Sequence, residues 1–230
     1  MSHVLAPAAT PVVPVVGGGT FAVHRIYCVG RNYAEHAREM GHSEREPPFF
    51  FLKPADAVVP VPFGETGTID YPSATADLQH EVELVVAIGT GGHDIGAAEA
   101  MSHVWGYAVG LDMTRRDRQS EMKKQGRPWE IGKAFEQSAP ISPIVPIAHS
   151  GALARGAITL EVNSQPRQNG DLSDLIWNVA EIIGQLSRAW TLQPGDLVYT
   201  GTPAGVGTVV RGDVMQASIA GVGTLRVAVR

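Results

Sequence analysis

Gln79-His80-Glu81-Val82-Glu83-Leu84-Val85-Val86-Ala87-Ile88-Gly89 is rich in β-branched residues and runs into the turn Gly89-Thr90-Gly91-Gly92. Those features predict a strand. Successive side chains of a strand point to opposite faces, so Glu81 and Glu83 share one face while Val82 and Leu84 take the other. Two carboxylates one pleat apart repel each other and are costly to desolvate together. A divalent cation with a taste for oxygen ligands (Mg²⁺, Mn²⁺ or Ca²⁺) would remove that cost. The alternative is a solvated strand edge on which both glutamates face water.

The surrounding chain narrows the class. Its 230 residues are 44% hydrophobic and 18% charged, enough for one globular domain with its own core. The net charge of −5 and the lack of a long basic block argue against nucleic-acid binding. No apolar run of membrane-spanning length occurs, and Pro7, Pro11 and Pro14 interrupt the apolar start where an export signal would be continuous. The single cysteine, Cys28, excludes an internal disulfide and fits a reducing cytoplasm. Abundant Gly and Pro between short Val/Ile runs predict a β-rich α+β fold with tight turns.

Residues 1–24 are expected as an extended arm, with Val12, Val13, Val15 and Val16 able to pair as an edge strand; a single domain over 25–230 follows. Arg25 to Gly30 predicts a strand that leads into a short helix ending near Gly41. On that helix His36 and Glu39 share a face, as either a general base with its orienting carboxylate or a surface pair. Pro47 to Pro54 predicts an aromatic strand whose Lys53 either snorkels outward or faces a site. Trp105 to Asp112 predicts a second buried strand with Asp112 at its end, as a helix cap or a third oxygen ligand. Thr114 to Asp117 reads as a capping-box variant for a helix reaching Gln125. Gly126 to Phe135 reads as loop, then extended chain; Lys133 within it is a surface residue or a cation for an anionic substrate. Ala157 to Asn163 and the run after Pro166 read as a hairpin, and Ser173 to Arg188 as an amphipathic helix. The loop Gly201-Thr202-Pro203-Ala204-Gly205-Val206-Gly207 is no Walker motif, but its N–H groups and Thr202 could receive a carboxylate.

Several of these motifs in order resemble the fumarylacetoacetate hydrolase family: Gly30-Arg31-Asn32-Tyr33 with His36 and Glu39, His80 to Leu84, Gly106-Tyr107 to Asp117, Lys133-Ala134-Phe135, and Gly195-Asp196 to Gly207. The resemblance spans Arg25 to Val229 and is strongest to the acylpyruvate-cleaving branch. It implies a twisted mixed β-sandwich roll with a few short helices, usually a homodimer. It implies Mg²⁺ or Mn²⁺ on Glu81, Glu83 and Asp112, a water-activating dyad of His36 and Glu39 on a lid, and Lys133 holding substrate. Arg31, Arg116, Gln119 and Thr202 follow as further substrate contacts. The implied reaction is hydrolysis of a carbon–carbon bond in a 2,4-dioxo acid such as fumarylpyruvate. The same metal–enolate chemistry would also serve oxaloacetate decarboxylation or isomerisation and decarboxylation of meta-cleavage dienoates.

Overall fold

In the computed structural model, residues 4–33 and 46–230 are described. His36 and Glu39 lie outside them. The first strands are β1 (Val12–Pro14), β2 (Thr20–Ala22), β3 (Ile26–Gly30), β4 (Phe49–Lys53), β5 (Val58–Pro60), β6 (Gly67–Ile69), β7 (Leu78–His80) and β8 (Val82–Ile88). There follow β9 (Val104–Leu111), β10 (Thr114–Arg115), helix α1 (Arg116–Lys124), the one-turn α2 (Glu130–Lys133), β11 (Ala139–Ile141) and β12 (Val145–Pro146). The chain closes with α3 (Ile147–Ser150), β13 (Ala157–Val162), β14 (Gln165–Asp171), α4 (Val179–Ala189), β15 (Leu197–Tyr199), β16 (Gly207–Val209), β17 (Val214–Ile219) and β18 (Gly223–Val229).

Strands dominate, as expected, and the sheets are mixed. The larger runs β4-β3-β15-β8-β9-β11-β5, with β12 also on β9. Within it β3 and β15 are parallel, as are β11 and β5. A five-stranded sheet, β14-β13-β17-β18-β6, packs against it. Alternation along β8 serves both faces. Val82, Leu84, Val86 and Ile88 join a core with Ile158, Leu160, Met215 and Leu225 of the five-stranded sheet. Val85 and Ala87 face a second core with Ile26, Cys28, Ala108, Leu197 and Tyr199 of the same large sheet, which Val13 of the N-terminal hairpin and Ile144 help to cover. Each fully buried aliphatic side chain here contributes about 1.5–3 kcal/mol. Among the described residues no helix is long and apolar enough to cross a membrane.

Three local expectations change and one is filled in. The strand expected through Gln79–Ile88 is divided at Glu81: β7 pairs with β10 and β16, while β8 enters the large sheet. The chain thus turns a corner at the first glutamate. Of the N-terminal valines, Val12 and Val13 do pair as a strand, in a hairpin with β2 that sets Val13 opposite Phe21 and fully buried. Residues 130–133 are helical instead of extended, one turn seated on α1. The amphipathic helix begins at Val179, since Asn178 accepts from Glu181 N–H in a capping box worth about 1 kcal/mol. The residues before it are held elsewhere: Ile176 N–H donates to Asn32 O and Trp177 N–H to Asn32 Oδ1.

Candidate active site

Glu81 at the corner, Glu83 on β8 and Asp112 just beyond β9 converge because β8 and β9 are paired and Asp112 N–H donates to Glu81 O at 2.9 Å. Their carboxylates each offer an oxygen within 4.8 Å of the others, and all three residues are buried. The solvated-edge alternative is thereby excluded.

Three cations face the three carboxylates. Lys133 Nζ donates to Glu81 Oε2 at 2.9 Å, Asp112 Oδ2 at 2.8 Å and Thr114 Oγ1 at 2.7 Å, which uses all three of its hydrogens. Lys53, also buried, donates to Met113 O and Lys133 O, and stands 2.8 Å from Asp112 Oδ1. Arg116 pairs with Glu81 Oε1, and its Nε donates to Gln79 Oε1 at 2.8 Å. Lys53 resolves toward the site, and Thr114 serves Lys133 instead of capping α1. Asp112 likewise is an ion-pair partner and not a cap.

The protonation preferences differ sharply within this cluster. Burial is the largest single influence on Glu81 and opposes its charge, yet Lys133 and Arg116 together outweigh it and lower its pKa. Glu83 goes the other way. Burial, then the charges of Asp112 and Glu81, push its pKa well above the usual carboxylate range, and Lys133 with the Gly201 N–H only partly offsets them. Burial also opposes the Lys133 ammonium, but Asp112 and Glu81 hold its pKa up. Glu83 is therefore the carboxylate short of positive charge. Asp112 Oδ1, for its part, lacks an aligned hydrogen bond. An undercompensated carboxylate and an open lone pair in an all-oxygen cluster fit a hard divalent cation.

Two glycines shape the setting. Gly201, at φ +100°, gives its N–H to Glu83 Oε2 at 2.8 Å. Gly132 lies so close to α1 that a Cβ would stand 2.8 Å from Gln119 N, and this contact seats the turn carrying Lys133. Glu81, Glu83 and Lys133 open onto a cavity of about 700 Å³ that Arg31, Arg116, Gln119 and Thr202 also line.

Two residues with no expected site role, Asn32 of the Gly30–Tyr33 motif and Gln168, hold this frame. Asn32 donates from Nδ2 to Trp177 O and Thr200 O, fixing the end of β15 beside Glu83. Gln168, buried amid the exposed positions of β14, accepts at Oε1 from Val82 N–H at 3.1 Å. Its Nε2 donates to Pro203 O and to Thr202 Oγ1 at 2.7 Å. The Val82 and Pro203 bonds fix the amide's orientation, so His80 Nδ1, 3.0 Å from Oε1, must be the donor. Burial, the main cause, lowers the pKa of His80, in keeping with a neutral ring. Since Thr202 already accepts, its hydroxyl hydrogen is available to the cavity.

Residues 25–230 match the family model described as fumarylacetoacetate (FAA) hydrolase C-terminal. The chain belongs to the fumarylacetoacetate hydrolase family. Over 99% of both chains it is 57% identical to the fumarylpyruvate hydrolase of Pseudomonas aeruginosa, solved with Mn²⁺ and pyruvate, at a TM-score of 0.97. It is 44% identical to a fumarylpyruvate hydrolase of a Ralstonia species over 185 residues, 80% of this chain and 93% of that protein. It is equally 44% identical to the mitochondrial oxaloacetate tautomerase of Rattus norvegicus over 204 residues, 87% of this chain and 89% of that one.

Proposed function

We propose that this family enzyme hydrolyses an acylpyruvate, fumarylpyruvate foremost, to fumarate and pyruvate, as in gentisate-type aromatic degradation. The carrying observation is the buried triad of Glu81, Glu83 and Asp112 beside Lys133 in one cavity, in a chain so similar along its whole length to a hydrolase holding Mn²⁺ and pyruvate. Glu81, Glu83 and Asp112 would hold Mg²⁺ or Mn²⁺. That ion, when bound, supplies Lewis-acid stabilisation for negative charge on the pyruvate half.

The chain's own groups account for the rest. Lys53, Lys133 and Arg116 pair with Asp112 and Glu81, and the ion would serve Glu83, so a substrate carboxylate would enter a site without excess negative charge. His36, oriented by Glu39, takes a proton from water, and the hydroxide adds to the 4-oxo carbon. The C3–C4 bond breaks, its electron pair passes to C3 as the pyruvate enolate, and a proton returns to that carbon. Lys133 keeps its charge beside the developing anion. Arg116, Gln119 and the free hydroxyl hydrogen of Thr202 orient the dioxo acid. Residues 25–230 form the catalytic domain behind an arm of 1–24. A homodimer in the cytoplasm belongs to the same reading, and the buried Cys28, whose pKa burial raises well above its ordinary value, fits a reducing compartment.

The test is pyruvate and fumarate release from fumarylpyruvate after EDTA treatment, then with Mg²⁺ or Mn²⁺ restored. Metal-dependent appearance of both products is expected, with His36→Ala losing turnover while still binding metal. The equal identity to an oxaloacetate tautomerase favours a second reading, oxaloacetate decarboxylation or tautomerisation on the same triad. Metal-dependent turnover of oxaloacetate with fumarylpyruvate left intact would select it.

A further inference from the structure

Helix α1 offers a polar stripe to the cavity. Arg116, Gln119, Ser120 and Lys123 all line it, spaced by three, four and seven residues so that they share one helix face. Arg116 marks the near end, bonded to Glu81. Lys123 lies seven residues on, about 10 Å along the axis at 1.5 Å per residue. Arg31 lines the same cavity. Its backbone holds the left-handed conformation at φ 57°, costly for a side chain this size. The guanidinium stands 5.4 Å from the Phe49 ring centre and 5.9 Å from that of Trp129, and its buried Nε has no hydrogen-bond partner among the described residues. Lys123 feels it: burial first, and then the charge of Arg31, lower the lysine's pKa. Arg31, Lys123 and the adjacent Lys124 thus border one cavity, and among the described residues no carboxylate pairs with any of them.

We infer that Arg31 and Lys123 form a second anion subsite, which receives the terminal carboxylate of the acyl group, with α1 as the spacer that measures substrate length. This deepens the acylpyruvate reading and rests on it. A seven-carbon dioxo dicarboxylate has six carbon–carbon bonds of about 1.5 Å, and spans roughly 7–8 Å when extended. Within side-chain reach, that bridges the Arg116 and Lys123 ends of the stripe. A four-carbon dicarboxylate such as oxaloacetate covers about half that distance. A monocarboxylate such as acetylpyruvate leaves the far cations without an anion.

The experiment compares kcat/KM on fumarylpyruvate with that on acetylpyruvate, in the full chain with Mn²⁺, for the wild type, Lys123→Met and Lys123→Arg. Lys123 is exposed, so the substitutions leave folding intact. The ratio of the two values should fall about tenfold in Lys123→Met, through KM for fumarylpyruvate, and recover in Lys123→Arg. An unchanged ratio in Lys123→Met, with both substrates cleaved, overturns the subsite and leaves the hydrolase reading standing. A wild type that cleaves neither substrate overturns that reading and the subsite with it.

Discussion

The two ends of the cavity are built on opposite rules. At the Glu83 end, carboxylates and cations are packed together out of water: Lys53 and Lys133 on Asp112, Lys133 and Arg116 on Glu81. At the Arg31 end Arg31, Lys123 and Lys124 stand without a carboxylate among the described residues, with the Arg31 guanidinium against the faces of Phe49 and Trp129. A charge removed from water needs a partner, whereas one that keeps solvent, as the exposed Lys123 and Lys124 do, needs none. The buried end is therefore tied to the stability of the fold, and the open end can vary with the substrate at little structural cost.

The comparison breaks most visibly at Glu83. Glu83→Gln keeps an acceptor for Gly201 N–H but removes the undercompensated charge. Mn²⁺ affinity, measured by titration calorimetry, should fall at least about a hundredfold, taking activity with it. Metal-free stability should hold or rise. Because the folded-state pKa of Glu83 is raised, the native metal-free protein binds more protons than the unfolded chain. Its contribution is therefore present at low pH and lost as pH rises from the ordinary carboxylate range toward the raised value. Melting curves against pH in EDTA should lose that slope in Glu83→Gln.

Lys53→Met tests the pairing itself. It leaves Asp112 with Lys133 alone and should cost about 3–5 kcal/mol in EDTA, read as a lower Tm. Saturating Mg²⁺ should narrow the gap, since the ion restores positive charge beside Asp112. Gln168→Leu sharpens the comparison from behind the site. It strands the Val82 N–H, Pro203 O and His80 Nδ1, for about 2–3 kcal/mol, and should raise KM as Thr202 loses its fixed donor direction. The smallest effect belongs to the open end: Lys123→Met should shift Tm by no more than about 0.5 kcal/mol equivalent.

Much of the buried end could be read from sequence because it obeys a two-residue period. Alternation put Glu81 and Glu83 on one face and Val82 and Leu84 on the other, and the two cores confirm that division. Asp112 was legible as a strand end. What escaped depends on contacts distant in the chain. The corner at Glu81 arises because β7 and β8 find different partners, which no local pattern encodes. Lys53 has an apolar stem that suits the surface or the interior, and only Asp112 decides between them. Gln168 sits in a strand whose composition reads as solvent-facing, and its burial comes from the loop carrying Thr202. The turn at 130–133 forms against α1, a packing effect that overrides the extended tendency around it. The motif resemblance located Arg31 and Arg116 but not the helical stripe that joins Arg116 to Lys123.

β15 lies between β3 and β8, with Leu197 beside both Ile26 and Ala87. The middle of the large sheet is thus filled by a strand synthesised well after both of its neighbours. Gly201, which gives Glu83 its N–H, follows two residues after that strand. Such wide sequence separation imposes a high loop-closure cost before any pairing rewards it, and predicts slow folding. A nascent chain already carrying Glu81, Glu83, Asp112 and Lys133 still lacks the strand that closes the sheet. Until β15 emerges, a gap in the sheet leaves the edges of β3 and β8 open to foreign strands. The interval between the emergence of β8 and that of β15 is the window of greatest exposure to aggregation.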